Sequence, residues 1–274
     1  MTLASRPRPL VMGVVNVTPD SFSDGGRHAD HAAAVSHARA LIAAGADIID
    51  IGGESTRPHA EPVSEAEELD RVLPVIRALA AEGARISIDT FKPAVAAAAM
   101  AAGASIWNDI TALRGLPPTG AGNLALAADL GCEVVLMHMQ GEPRTMQDNP
   151  TYADVVGEVA EILVARAEAA IAAGVARDKV WLDPGIGFGK TVAHNLTLLA
   201  NLDRIVGLGF PVVLGVSRKR FIANIAMTEG DNRLGGSLAA GIAGAAAGCA
   251  ALRVHDVPQT VQALKVWAAI EAAR

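Results

Sequence analysis

Gly209-Phe210-Pro211-Val212-Val213-Leu214-Gly215-Val216-Ser217-Arg218-Lys219 contains the unit from which the fold is read. A glycine closes one segment, a short apolar run follows, and the run breaks on polar and charged residues. Glycine supplies the left-handed residue that ends a helix at little cost. An apolar run without alternation suits a parallel strand covered by helices on its outer face.

Working outward, the unit recurs along the chain. Apolar runs Leu10–Val15, Ile48–Ile51, Ile86–Ile88, Ile106–Trp107, Val134–Met137, Val180–Leu182, Val212–Val216 and Ala250–Val254 lead into Asn16, Glu54, Asp89, Asn108, His138, Asp183, Ser217 and His255. Gly45, Gly83, Gly103, Gly131, Gly174, Gly209 and Gly248 close the alanine-rich segments between them. Seven helix stops imply eight strands. The predicted fold is therefore an α/β TIM (β/α)8 barrel, with residues 1–274 forming one domain. A doubly wound open sheet also fits the alternation, but eight polar tips favour closure, which gathers all of them at one mouth. Ser64-Glu65-Ala66-Glu67 reads as a capping box, and Thr151 as the cap of a helix with the stripe Val155, Val156, Val159, Ile162 and Leu163.

A net charge of −6 leaves no basic footprint for nucleic acid, so a bound anion must be held by a few placed cations. Cys132 and Cys249 start apolar runs and are expected to be buried and unpaired, as in a reducing, cytoplasmic setting. Met1–Pro9 has no apolar signal core, and Leu238–Leu252 is too short to span a bilayer, so no membrane partner is expected.

The tips carry the chemistry. Asp89 and Asp183, with Asn108, would face one ligand, and a carboxylate matches a flat edge carrying two N–H donors, as in aminopyrimidines and pterins. Taken singly, each Asp also reads as a cap of the following helix. Positive charge gathers after strands seven and eight, at Ser217-Arg218-Lys219-Arg220 and Arg253-Val254-His255, where barrels often bind phosphate. Strand alternation puts Arg253 and His255 on one side. Asn16 offers a neutral oxygen for Mg²⁺, or simply opens a loop. Gly185–Thr191 resembles a phosphate-binding loop but is one residue short, because position 184 is proline. Its glycines are read as letting a flat ligand approach the backbone.

These residues resemble the dihydropteroate synthase family. The resemblance rests on Asn16-Val17-Thr18-Pro19-Asp20-Ser21-Phe22-Ser23-Asp24-Gly25-Gly26, Gly52-Gly53-Glu54-Ser55-Thr56-Arg57-Pro58 and Ser87-Ile88-Asp89-Thr90. It continues in Asn108-Asp109-Ile110, Met137-His138-Met139-Gln140-Gly141, Asp183–Lys190, Ser217-Arg218-Lys219 and Arg253–Val257. It implies a cytoplasmic homodimer that joins 7,8-dihydropterin-6-ylmethyl diphosphate to 4-aminobenzoate and releases pyrophosphate, with Mg²⁺. It implies that Asp89, Asn108, Asp183 and Lys219 hold the pterin. Arg253 would stack on the ring and, with His255, Asn16 and Mg²⁺, handle the diphosphate. Thr56 and Arg57 would bind substrate from the second loop. Phe22, Pro58, Phe188 and Lys219 would form the aminobenzoate pocket. Asp183, Lys219, Asp24, Arg253 and His255 would be the catalytic set. His59 and Arg220 depart from the family pattern. A pterin-binding barrel serving methyl transfer and a catalytically silent paralogue are the competing readings.

Overall fold

The computed structural model describes residues 8–18, 27–55, 61–115, 122–227 and 232–274, with the backbone alone described at 27–29. The strands are β1 (Leu10–Asn16), β2 (Ile48–Gly52), β3 (Ile86–Asp89), β4 (Ile106–Asp109), β5 (Glu133–Met137), β6 (Val180–Asp183), β7 (Val213–Gly215) and β8 (Ala251–Val254). All pair in parallel, in the order β6-β5-β4-β3-β2-β1-β8-β7. A parallel bridge between Leu182 and Val212 joins the two ends. That bridge makes the sheet a barrel and removes the open-sheet alternative.

The helices that cover it are α1 (Arg27–Ala43), α2 (Glu65–Ala80), α3 (Pro93–Ala101), α4 (Gly122–Leu130), α5 (Val155–Ala172), α6 (Val192–Ala200), α7 (Leu202–Val206), α8 (Arg220–Ala226), α9 (Leu234–Ala247) and α10 (Val257–Ala272). All seven expected glycine stops have positive φ. At Gly103 the need is twofold: φ is +113°, and an added Cβ would meet the Ala80 Cβ at 2.4 Å. Ser64 caps α2 by accepting from Glu67 N at 3.2 Å, while the Glu67 carboxylate turns to Arg71. Asp154, not Thr151, caps α5. Its carboxylate accepts from Val156 N, while the Thr151 backbone is tied to the Gln140 amide. The apolar stripe of α5 is buried except for Ile162, which is 39% exposed.

The barrel interior is layered. Met12, Ile48, Ile106, Val135, Trp181, Val213 and Ala251 form a cluster of their own, apart from the core between sheet and helices. They come from seven strands, so they face the axis. Side chains two residues further on face the same way. These are Val14, Asp50, Asn108, Met137, Asp183, Gly215 and Arg253. The interior therefore changes from apolar to charged within one turn of the pleat, toward the C-terminal ends of the strands.

Candidate active site

Arg253 lies at the centre of the charged layer. Its Nε donates to Asp50 Oδ2 and its Nη2 to Asp89 Oδ2, both at 2.6 Å. Asp50 has no exposed surface. The Asn108 amide donates toward both Asp50 oxygens at 3.3 and 3.4 Å. Register explains the grouping: Gly52 pairs with Asp89 and Asp89 with Asn108, so adjacent strands deliver these groups side by side. Burial, with Asp50 nearby, pushes the Asp89 carboxyl up to about 7 against the pull of Arg253.

Across the mouth, Asp183 Oδ1 accepts from Gly185 N at 2.7 Å. Burial raises the Asp183 pKa, opposed by that N–H and by Lys219 and Arg253. Lys219 Nζ donates to Ile186 O at 2.5 Å and lies 4.2 Å from the Phe188 ring centroid. Desolvation lowers its pKa to about 8 although Asp183 opposes the shift. Three carboxylates, Asp50, Asp89 and Asp183, thus share two cations. His255 completes this rim, with both its N–H and Nδ1 at 3.1 Å from Ser217 Oγ.

Two glycines leave the floor open. An added Cβ at Gly52 would lie 3.7 Å from Asp89 Oδ2 and 3.8 Å from Asn16 Oδ1. At Gly215 it would lie 3.9 Å from Asp183 Oδ2 and 4.0 Å from Arg253 Cβ. Side chains there would fill the space between the polar groups, and glycine keeps it free for a flat molecule bearing donors and acceptors.

Most of the sequence expectations meet in one place. Asn16, Asp89, Asn108, Asp183, Lys219, Arg253, His255 and Phe188 all gather at the C-terminal mouth. The capping alternative for the aspartates is overturned, because Lys92 and Thr191 occupy the N-cap positions of α3 and α6. Phe22, Asp24, Thr56, Arg57, Pro58 and His59 lie outside the described residues. Arg220 is exposed at the start of α8, and Arg218 is committed to Asp256 at 2.5 Å. Two of the glycines of 185–189, Gly185 and Gly189, serve another purpose than expected, while Gly187 lies against the Lys219 side chain. An added Cβ at Gly185 would meet His138 O at 1.9 Å, and one at Gly189 would meet Gln140 O at 2.3 Å. They let two loops touch backbone to backbone. Asp50 was missed, because it sits within an apolar run.

The sequence matches the family described as pterin binding enzyme over residues 12–255. The chain belongs to this family. It is 48% identical to dihydropteroate synthase of Escherichia coli strain K12, over 97% of this chain and 93% of that protein. Among solved structures, Xanthomonas albilineans dihydropteroate synthase with 4-aminobenzoic acid superposes with a TM-score of 0.89 at 51% identity, covering 97% of this chain and 94% of that one. The same enzyme in complex with 7,8-dihydropteroate gives 0.87 at 48% identity, covering 98% and 96%. Family membership extends through both halves of the mouth, from β1 to His255. No helix among the described residues is long and apolar enough to cross a membrane. Cys132 and Cys249 are buried and unpaired.

Proposed function

We propose that the mouth is the catalytic centre of a dihydropteroate synthase, a transferase that condenses 7,8-dihydropterin-6-ylmethyl diphosphate with 4-aminobenzoate. The observation that carries this reading is the surplus of carboxylate over cation around an open floor, in a chain of near full-length similarity to the Escherichia coli enzyme. Asp183, Asp89 and Asn108 supply the acceptors for the N–H edge of the pterin. Lys219 donates to a ring acceptor. Arg253 is held flat by its two carboxylates and offers a face for stacking.

In the reaction, the C–O bond to diphosphate breaks and its electron pair leaves with the phosphate. Positive charge develops on the pterin methylene and spreads into the electron-rich ring, whose N–H edge the buried Asp183 and Asp89 carboxyls hold. The neutral arylamine then forms the C–N bond and loses one proton. Arg253 and His255 face the leaving diphosphate. Phe188 and the stem of Lys219 wall the arylamine side; Phe22 and Pro58, outside the described residues, are assigned to that pocket by the resemblance alone. Asp24, Thr56 and Arg57, outside the described residues, are assigned to substrate by the resemblance to the family alone. Asn16 suits Mg²⁺, since it places a neutral oxygen beside Asp89, and Mg²⁺ takes one or two protein oxygens with phosphate and water. Among the described residues there is no group of three or more His, Cys, Asp or Glu that would cage a metal by itself. When bound, the ion neutralises charge on the leaving group. We also read the chain as a cytoplasmic homodimer, which sedimentation velocity tests.

The deciding assay measures pyrophosphate release with each substrate alone and with both. Release only with both substrates and Mg²⁺ supports the synthase. Release with the pterin diphosphate alone, or none at all, overturns it.

A further inference from the structure

The loop after β6 has its carbonyls taken one by one. Gly185 O accepts from Lys190 Nζ at 3.0 Å, Ile186 O from Lys219 Nζ, and Gly187 O from the Gln147 amide at 2.5 Å. Phe188 O accepts from Lys190 Nζ at 3.0 Å and Gly189 O from the Tyr152 hydroxyl at 2.7 Å. Five consecutive peptide oxygens are thus bound by side chains from three separate stretches of chain. Gly187 N in turn donates to Asn195 Oδ1 at 2.7 Å. The product of this bracing is a fixed place for the Phe188 ring above the Lys219 ammonium.

Lys190 braces two of the five. It is 3% exposed, and no carboxylate forms an ion pair with it among the described residues. Burial lowers its pKa to about 7, with the charge of Asp183 opposing the shift. The ammonium persists here because its protons have four acceptors nearby: Gly185 O, Phe188 O, His138 Nδ1 at 2.9 Å and, more weakly, His138 O at 3.4 Å. Burial, and then the nearby Lys190, drive His138 down to about 3, so its ring is neutral. Its Nδ1 accepts from the ammonium and its Nε2 carries the proton. An apolar side chain would fill the same space without the desolvation cost but would remove the side-chain donor from Phe188 O and leave Gly185 O with the Phe188 N–H. Lys190 belongs to the resemblance to the family, and its Nζ lies in the joint between the loops after β5 and β6.

We infer that Lys190, seated against His138, is a positioning residue for arylamine recognition: by holding the peptide oxygens of Gly185 and Phe188 it fixes the Phe188 wall. This rests on the synthase reading above. It predicts an asymmetry between the two substrates: Phe188 walls the arylamine side alone, whereas of the groups assigned to the pterin, Asp89, Asn108 and Arg253 stand on β3, β4 and β8, with which Lys190 has no hydrogen bond, and Asp183 and Lys219 alone stand near its loop.

The test is steady-state kinetics of Lys190→Met in the full chain, varying each substrate with the other saturating. The expected result is a rise of roughly tenfold or more in KM for 4-aminobenzoate, with KM for the pterin diphosphate changed less than about twofold. Tyr152→Phe removes one brace at the far side of the loop without burying or stranding a charge. It should raise the same KM by roughly two- to fivefold, and it serves as the readout if Lys190→Met does not fold. Equal changes in both KM values, or none in either variant, overturn the inference while leaving the synthase intact. A wild-type chain that makes no dihydropteroate instead overturns the reading on which the inference rests.

Discussion

The two ends of the barrel use the same ingredients to opposite purpose. At the N-terminal end, Arg85 grips Glu133 through both carboxylate oxygens, at 2.7 and 2.9 Å, and the Trp181 indole N–H donates to the same Glu133 at 2.8 Å. Beside them Arg8 binds Asp47 at 2.7 and 2.9 Å, and Asp47 also accepts from Val11 N. Burial works to raise the Asp47 carboxyl, but Arg8, the Val11 N–H and Arg85 together outweigh it and leave the group below its ordinary value. Two acids meet two arginines, and the end is closed. At the C-terminal mouth, one arginine is shared by two carboxylates, and a third, Asp183, faces a lysine whose ammonium is spent on a peptide oxygen and an aromatic ring. The first arrangement is complete in itself. The second holds acceptors in reserve, and only a ligand bearing donors and positive character completes it.

The sharpest way to break this contrast is to neutralise the arginine at each end. Arg253→Met strands the fully buried Asp50, and the loss of an ion-pair partner of this kind costs about 3–5 kcal/mol of folding stability, readable by urea denaturation. Activity should disappear with it. A variant of wild-type stability would mean that Asp50 is satisfied without Arg253.

Asp183→Ala and Lys219→Ala come next. Each should cost about 3 kcal/mol in transition-state stabilisation, measured as kcat/KM, with a smaller change in unfolding midpoint than Arg253→Met. Near-wild-type kcat/KM in both would remove these residues from the chemistry.

Changing pH separates activity from stability at the mouth. Lys219 titrates at about 8 in the folded chain against an ordinary 10.5, so kcat/KM should fall on the alkaline side as its proton is lost. Between those values the unfolded chain binds more protons than the folded one, so this group makes stability rise with pH across the same window. Lys219→Arg should abolish the alkaline fall in kcat/KM and reduce the stability trend to the share that belongs to Lys190, which burial lowers to about 7. An unchanged alkaline limb in that variant would assign it to another group.

The smallest effect belongs to the closed end. Arg85→Met breaks a pair whose arginine side chain is 37% exposed, and should cost no more than about 1 kcal/mol of stability with kcat/KM unchanged. A large loss of activity there would end the division of labour between the two ends.

Much of this was legible in the sequence, for identifiable reasons. The eight strands follow from apolar runs and glycine stops, because both are local signals that tertiary packing did not override. The mouth follows from the polar tips, because parallel strands must all end on one side. Asp50 escaped because Ile48-Ile49-Asp50-Ile51 reads as one apolar run. Only the two-residue alternation through Ile48, Asp50 and Gly52 marks it as facing inward. The work of Lys190 and His138 was not legible either. Their pairing spans 52 positions and depends on how closely two loops approach, which no local pattern encodes. Asp154 displaced Thr151 as a cap because two good capping residues lay within one turn, and spacing alone does not choose between them.

The closure of the barrel is uneven. β1 and β2 are laced through five residue pairs, whereas β6 and β7 are joined by the single bridge between Leu182 and Val212, with Leu182 N donating to Pro211 O at 2.9 Å. The lightest stitch in the hoop therefore runs directly beneath Asp183 on one side and the Ser217–Lys219 turn on the other. Any breathing of the cylinder is concentrated there, so backbone amides along this seam should trade protons with solvent sooner than those of β1 and β2.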